Sequence, residues 1–487
     1  MKRNHELRGL AIRGIGWLVA KRFATQILLT GANLILVRLL FPADFGAFAI
    51  IQTVITLFWV FADLGLGKAL VQRRDEPDTD TLRSVWWTQT LLGVAVVGAV
   101  WVFTPAILSY YKGILPVQAL SWIRLLVVSE IFVNMGLVSV AILERRLAYG
   151  RIMVGEIAGL FITLSVTIFL AARGMGVGSF IYGNLLGRLM SLVFFSLLSP
   201  WKWGFGFQRR KLASLFKFGV PLQIAGWIGL VNGAVVPLFV GRFPGPGGWS
   251  GAQAVGFVSW AAGVAAIPAA ATGIFEQLLF PLLSRSQDDR EFAGRIFKKV
   301  LGIVALTAFP ACAALLALAP EVTAIIYTPS WLPALPALRL AILQTAVGSL
   351  NVVALTALLA FGEAKFYRNL QGLWAILQWL LTIPLVLLFG FWGVNIATLI
   401  VTLTGLFAFI RLRKYVRFPV LGVVKGPFIL SLFLGGFLWV FSRILGISGF
   451  WELVLTLLVG GCLYLILTWQ FLRKQVEAEL SILRSLK

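Results

Sequence analysis

Five basic side chains sit where the surrounding sequence is apolar enough to lie inside a bilayer: Lys21, Arg22, Arg124, Arg188 and Arg339. A Lys or Arg at the centre of a membrane helix costs about 2.5–3.5 kcal/mol on insertion scales, so such groups face a bundle interior or a wet cavity rather than lipid. Arg22, Gln26, Thr30 and Asn33 recur at intervals of 4, 4 and 3, one face of an α-helix, with Lys21 at its edge. Asn184, Arg188 and Ser191 repeat the idea at intervals of 4 and 3. Polar faces on otherwise apolar helices read as cavity walls, and arginines there can hold an anion through charge-assisted hydrogen bonds. Arg188 is the deepest, about ten residues from either end of its apolar run and beyond easy snorkelling. It either lines a cavity that meets an anion or pairs with a buried acid. The other four lie nearer the ends of their runs, where snorkelling or structural pairing serves as well.

Acids in apolar surroundings are scarcer: Glu130, Glu156 and Glu276, with Asp63 at the end of a run. Glu130 lies six residues from Arg124, which is not helical ion-pair spacing, so its partner must come from another helix. These acids either balance lumen arginines or bind a proton or cation for coupling. Gln371, Gln378 and Thr382 share one helical face at intervals of 7 and 4, suited to sugar hydroxyls or to ordinary hydrogen bonding between helices. Gly155 with Gly159, and Gly183 with Gly187, are G-x-x-x-G pairs of the kind that let membrane helices approach closely.

Other chemistry is nearly excluded by inventory. The only histidine, His5, lies in the N-terminal tail, and the two cysteines, Cys312 and Cys462, each sit inside an apolar run as small core residues. No zinc site, no other metal site, no histidine base and no cofactor follow from such a set. There is no G-x-x-x-x-G-K-S/T loop; GMGVGS (174–179) and GPGGWSG (245–251) are glycine-rich turns with no strand before them.

The elements that must position these residues are membrane helices. Of 487 residues, 59% are hydrophobic and 13% charged, against about 25% charged in soluble domains. A span needs about 20 mostly apolar residues, and the chain offers fourteen: 14–37, 45–62, 85–106, 118–141, 152–171, 178–198, 218–240, 254–280, 300–318, 334–360, 370–389, 392–410, 427–442 and 451–471. Lys and Arg test this layout, because they crowd cytoplasmic connections. Thirty-two of the 42 fall on the side of the N-terminal tail, five on the other side, and five within spans. Both termini are therefore expected in the cytoplasm, and the net charge of +23 orients the chain and meets anionic headgroups rather than nucleic acid.

The expected organisation is a cytoplasmic tail (1–13), an N-lobe of six helices (14–198), a cytoplasmic linker (199–217) and a C-lobe of six helices (218–410). Two further helices follow a cytoplasmic loop (411–471), and an amphipathic tail closes the chain (472–487) with Val476, Leu480 and Leu483 on one face. The stretches beginning at Pro116 and Pro333 resemble each other: each runs from proline to a buried-looking arginine, Arg124 or Arg339, to a basic-aromatic exit, then helix, glycine-rich turn, helix. The copies start an even number of spans apart, so the repeat is parallel, a plan typical of transporters with alternating access.

The run from Val37 to Arg73, VRLLFPADFGAFAIIQTVITLFWVFADLGLGKALVQR, resembles the opening of bacterial polysaccharide transporters of the Wzx type, in the multidrug/oligosaccharidyl-lipid/polysaccharide exporter superfamily. AQAVGFVSWAAG (252–263) resembles the start of that family's second lobe. The resemblance implies no enzyme but a flippase of the bacterial inner membrane, moving undecaprenyl-diphosphate-linked oligosaccharide to the outer leaflet. It implies a cationic central cavity, polysaccharide polymerase or export machinery as a partner, and no nucleic acid. One departure is the absence of an acid from span 1, where Gln26 and Asn33 stand; this weakens a cation-coupled multidrug antiporter. A lipid II flippase shares the fold and cavity, and a membrane glycosyltransferase or polymerase is the rival of a different class.

Overall fold

In hydrocarbon every backbone N–H and C=O must find a partner inside the chain, and among the described residues the regular structure is helical throughout. The computed structural model describes residues 2–73, 75–201, 203–206, 208, 227, 229–271, 279–286, 289–416 and 420–485. Glu276 and most of the 199–217 linker lie outside these residues.

Eleven described helices are long and apolar enough to cross a membrane. With α1 (Lys2–Leu39) and the shorter apolar helices α8 (Gly229–Val240) and α9 (Gly251–Ala265), the set is compatible with the expected fourteen. The fold is that of an all-α, multi-pass membrane protein.

The described chain divides into two compact units, Met1–Arg242 with Ser250–Gly256, and Phe243–Trp249 with Phe257–Lys487. The first holds α1, α2 (Pro42–Trp59), the short α3 (Leu66–Gln72), α4 (Thr79–Tyr110), α5 (Ala119–Arg145), α6 (Tyr149–Ala172), α7 (Val177–Leu198) and α8. The FPADFGAFA segment starts α2 for local reasons: Pro42 occupies its first turn, and Asp44 Oδ2 accepts the free N–H of Phe41 at 2.9 Å. The DLGL segment ends it. Asp63 Oδ1 accepts the Gly65 N–H at 3.1 Å, and Gly65 takes φ +68°, a left-handed conformation that favours glycine. α3 then leaves at a new angle, carrying Lys68.

Lipid tails are as apolar as leucine, so helices in a bilayer associate through close packing rather than hydrophobic burial. The two G-x-x-x-G pairs do this. A Cβ on Gly155 would strike the Phe195 ring, one on Gly159 the Ser191 hydroxyl, one on Gly187 the Thr163 side chain, and one on Gly183 that of Thr167. These opposed pairs step along α6 and α7 in antiparallel register. Thr163 and Thr167 return their hydroxyls to carbonyls of their own helix, Gly159 and Thr163, at 3.0 and 2.7 Å, so the seam carries no unspent donor from them.

The second unit contains α10 (Arg290–Ala317), α11 (Leu335–Ala360), α12 (Ala364–Phe389), α13 (Gly393–Thr404), α14 (Phe407–Leu412), α15 (Val420–Leu445) and α16 (Phe450–Ser485). Its core joins Phe297, Val304, Ala354, Leu358, Phe409 and Leu412. The repeat is visible in how helices pack: α7 lies against α5 and α6 as α13 lies against α11 and α12. Beyond the end of α11, Glu363 Oε1 accepts from the Tyr415 hydroxyl at 2.6 Å and from Arg411 Nε and Nη2 at 3.0 and 2.8 Å. The Tyr415 hydroxyl, then the Arg411 charge, hold the Glu363 carboxyl below the usual range; the same bond pushes the Tyr415 phenol up.

Candidate functional site

The first unit encloses a cavity of about 400 Å³ against α5, between α3, α6 and α7. Its walls are mostly apolar, with Phe132, Val133, Leu137, Leu192 and Phe195 among them; its charged members are Asp63, Lys68, Glu144, Glu156 and Arg188. Asp63 arrives on the DLGL turn, Lys68 on α3, Glu144 from the end of α5, Glu156 on α6 and Arg188 from the middle of α7.

Arg188 is ion-paired with Glu130 of α5, and its Nη1 also donates to Ser129 Oγ at 3.2 Å. The Arg188 side chain is 21% exposed and that of Glu130 only 10%, so this pair is largely withdrawn from its surroundings. Gln52 of α2 donates to the same carboxylate oxygen at 3.5 Å and to Thr56 Oγ1 at 3.4 Å. Glu130 is thus satisfied from α7 and α2. Both Arg188 contacts use Nη1, and a guanidinium has five N–H donors; Nη2 and Nε make no hydrogen bond with a described residue.

Lys21 of α1 is ion-paired with Glu156, which links α1 to the cavity wall. Of the five cations singled out in the sequence, the structure brings only Lys21 and Arg188 to this region, each with a carboxylate partner. Around them stand the acids Asp63, Glu130, Glu144 and Glu156 and the bases Lys21, Lys68 and Arg188. The cavity is therefore of mixed charge, with one acid more than bases, not the purely cationic lining that the arginine count suggests. An unpaired buried charge costs several kcal/mol, and Lys21 and Arg188 each take an acid from another helix.

Arg124 does not join them. Its guanidinium lies over the Trp101 ring at 5.5 Å and donates to the Trp101 carbonyl at 3.5 Å, while Trp101 Nε1 donates to the Arg124 carbonyl at 3.3 Å. This exchange ties α5 to α4. Arg22, Gln26, Thr30 and Asn33 are all exposed, on a face of α1 distinct from the buried Ala32 and Leu36, and Gln26 donates to Thr30 at 3.1 Å. Asn184 is half-buried and returns its amide to the Phe180 carbonyl at 2.9 Å.

In the second unit Arg339 is exposed on α11. Gln378 is buried and donates at 3.1 Å to both Thr382 and Thr398, holding α12 to α13; Gln371 donates to Tyr367 at 2.9 Å. Gln378 thus serves as the hydrogen bond between helices that its spacing allowed. A second cavity of about 380 Å³ lies against α11, lined by Gln344, Thr345, Ser349, Asn351, Trp374 and Thr402 among alanines. Among the described residues it has no charged member.

Lys68, Glu144, Gln52 and Ser129 were not singled out by sequence. Lys68 and Glu144 sit at helix ends, where charges are ordinary, and only the fold turns them inward. Asn351 had a faint signal. It lies eighteen residues after Pro333, as Asn134 lies after Pro116. Both are buried, and each donates to a carbonyl of a neighbouring helix, Asn134 to Gln89 at 3.2 Å and Asn351 to Thr402 at 2.7 Å.

These features define a multi-pass helical membrane protein built on an internal repeat, with a cavity of mixed charge in its first unit. The chain belongs to the polysaccharide biosynthesis protein family, which residues 35–336 match; the resemblance carried by Val37–Arg73 is thereby borne out. It is 26% identical over 344 residues to the succinoglycan biosynthesis transport protein ExoT of Rhizobium meliloti, covering 69% of this chain and 66% of that protein, just under two thirds of its length. It is 24% identical over 441 residues to the lipopolysaccharide biosynthesis protein WzxC of Escherichia coli, covering 88% of this chain and 85% of that one. Its fold is similar to that of a lipid II flippase MurJ in an inward closed conformation, with a TM-score of 0.74 at 17% identity over 95% of this chain and 100% of that one.

Proposed function

We propose that this protein flips undecaprenyl-diphosphate-linked oligosaccharide from the inner to the outer leaflet of the bacterial cytoplasmic membrane, without making or breaking a covalent bond. Membership of a polysaccharide biosynthesis family and likeness to proteins described as acting in succinoglycan transport and lipopolysaccharide biosynthesis support the class of cargo. The distribution of Lys and Arg supports cytoplasmic termini, and the parallel repeat supports alternating access of the two lobes. Polysaccharide polymerase or export machinery takes the delivered unit.

The single observation that carries the reading is Arg188: a mid-helix arginine on a cavity wall, neutralised by Glu130 through one nitrogen with two others to spare. The balanced pair lets the empty protein change conformation without carrying a bare charge through hydrocarbon. An arriving diphosphate adds charge-assisted bonds to the free face of the guanidinium. At about 400 Å³ the cavity is at the small end of ligand sites, which run from about 300 to 1,000 Å³; it suits the phosphates and the first sugar, with the polyprenyl chain left in lipid.

The test is leaflet-resolved transport of a labelled polyprenyl-diphosphate oligosaccharide in proteoliposomes. Arg188→Gln combined with Glu130→Gln, which leaves neither charge bare, is expected to fold and to flip at least about tenfold more slowly than wild type, the loss of roughly one charge-assisted bond. Wild-type rates in that variant would remove Arg188 from the site. Failure of folded wild type to flip this cargo, with flipping of lipid II instead, would reassign the substrate.

A further inference from the structure

A second polar cavity of the first unit lies outside the machinery described above. It measures about 420 Å³ and forms where the ends of α3, α4 and α5 meet the segment after α7, with Arg73, Glu76, Thr79, Arg145, Arg146 and Trp201 on its walls. Two residues of its wall each carry a buried donor without a hydrogen-bond partner: Nη1 of Arg73, and Nε1 of Trp201, a residue only 7% exposed. Buried donors without acceptors are rare and costly, more so when charged. An indole N–H and a guanidinium on the same wall both demand an acceptor, and the guanidinium demands a negative one.

The cavity is built rather than incidental. Arg145 donates through Nη1 to the carbonyls of Leu70 at 2.7 Å and Arg73 at 2.6 Å, and through Nη2 to that of Asp75 at 3.0 Å. This clamp closes the end of α3 and fixes the backbone from which Arg73 projects. Trp201 is held by an aromatic cluster, its ring 6.4 Å from that of Trp86, which itself lies 5.6 Å from Trp203. Arg146 is exposed beside them. Among the described residues the single acid on the wall is Glu76, which is exposed and forms no ion pair with a described residue.

We propose that this cavity binds a phosphate group, with Arg73 and Arg146 supplying charge and Trp201 a neutral donor. Two sources share this chemistry: an anionic phospholipid headgroup, for which tryptophan and basic residues at helix ends are the usual anchors, and free phosphate in solution. The site is separate from the Arg188 cavity and does not depend on what that cavity carries.

Purified full-length protein in a neutral detergent is titrated with short-chain phosphatidylglycerol and, separately, with inorganic phosphate, following the thermal unfolding midpoint. Wild type is expected to show a saturable rise. In Arg73→Gln and Arg146→Gln, and in Trp201→Phe, which keeps the ring in the cluster and removes only the N–H, half-saturation shifts upward by about tenfold, as for one lost charge-assisted bond. A rise with the lipid alone assigns the site to a headgroup, and a rise with both probes to phosphate wherever it is carried. No saturable response of wild type to either probe overturns the proposal, as does an equal response in wild type and all variants that remain monodisperse.

Discussion

The cavity against α5 and the cavity against α11 are nearly the same size, about 400 and 380 Å³, and stand on corresponding helices of the two repeats. Among the described residues, one is lined by five charged side chains and the other by amides, hydroxyls and alanines. The helical scaffold was duplicated; the electrostatics were not. In the first unit helices are joined beside the cavity by carboxylate–cation pairs, in the second by neutral bonds from Asn351, Gln378 and Trp374. A charged cargo group has something to exchange with only in the first kind of wall, whereas a neutral wall suits hydroxyls.

The sharpest way to break this comparison is to unbalance the charged side. Glu130→Gln leaves Arg188 half-withdrawn and without its counter-ion, and is expected to cost about 3 kcal/mol or more, read as a lower thermal midpoint in mild detergent. A near-neutral result would mean that the pair is not what holds α5 to α7. The matching change in the second unit is milder: Asn351→Leu removes the bond to the Thr402 carbonyl and should cost about 0.6–1.7 kcal/mol, the range for hydrogen bonds between membrane helices. If its loss equals that of Glu130→Gln, the two walls are energetically alike despite their chemistry.

The smallest effect concerns pH, outside the spans. Glu363 is held below its unfolded value by Tyr415 and Arg411, so it contributes stability at neutral pH that is lost as pH falls through the folded value. The thermal midpoint of Glu363→Gln should lie below that of wild type at pH 7, and the gap should close below about pH 4, near the ordinary range of a carboxyl group. A gap independent of pH would show that the bond geometry, not the charge, is what matters.

Much of this protein could be read from residues in order. Membrane class, the family and the close seam between α6 and α7 follow from local features: apolar length, loop charge, the FPADFGAFA and DLGL turns, and glycines four apart. These signals are local because a membrane helix satisfies its own backbone, so each span is specified within about 20 residues. The need of Arg188 for a cavity or an acid was also legible, from its depth alone.

Tertiary structure decided which cation meets which acid. Spacing along one helix says which side chains share a face, but an ion pair between helices depends on how far each is rotated and shifted against the next. That set Lys21 on Glu156 and Arg188 on Glu130, turned Arg124 onto Trp101, and brought Lys68 and Glu144 to a cavity that their places at helix ends had hidden. The sequence by itself required that charges inside the bilayer be compensated, because a low dielectric penalises them bare; only packing could choose the partners, because the partners are far apart in the chain.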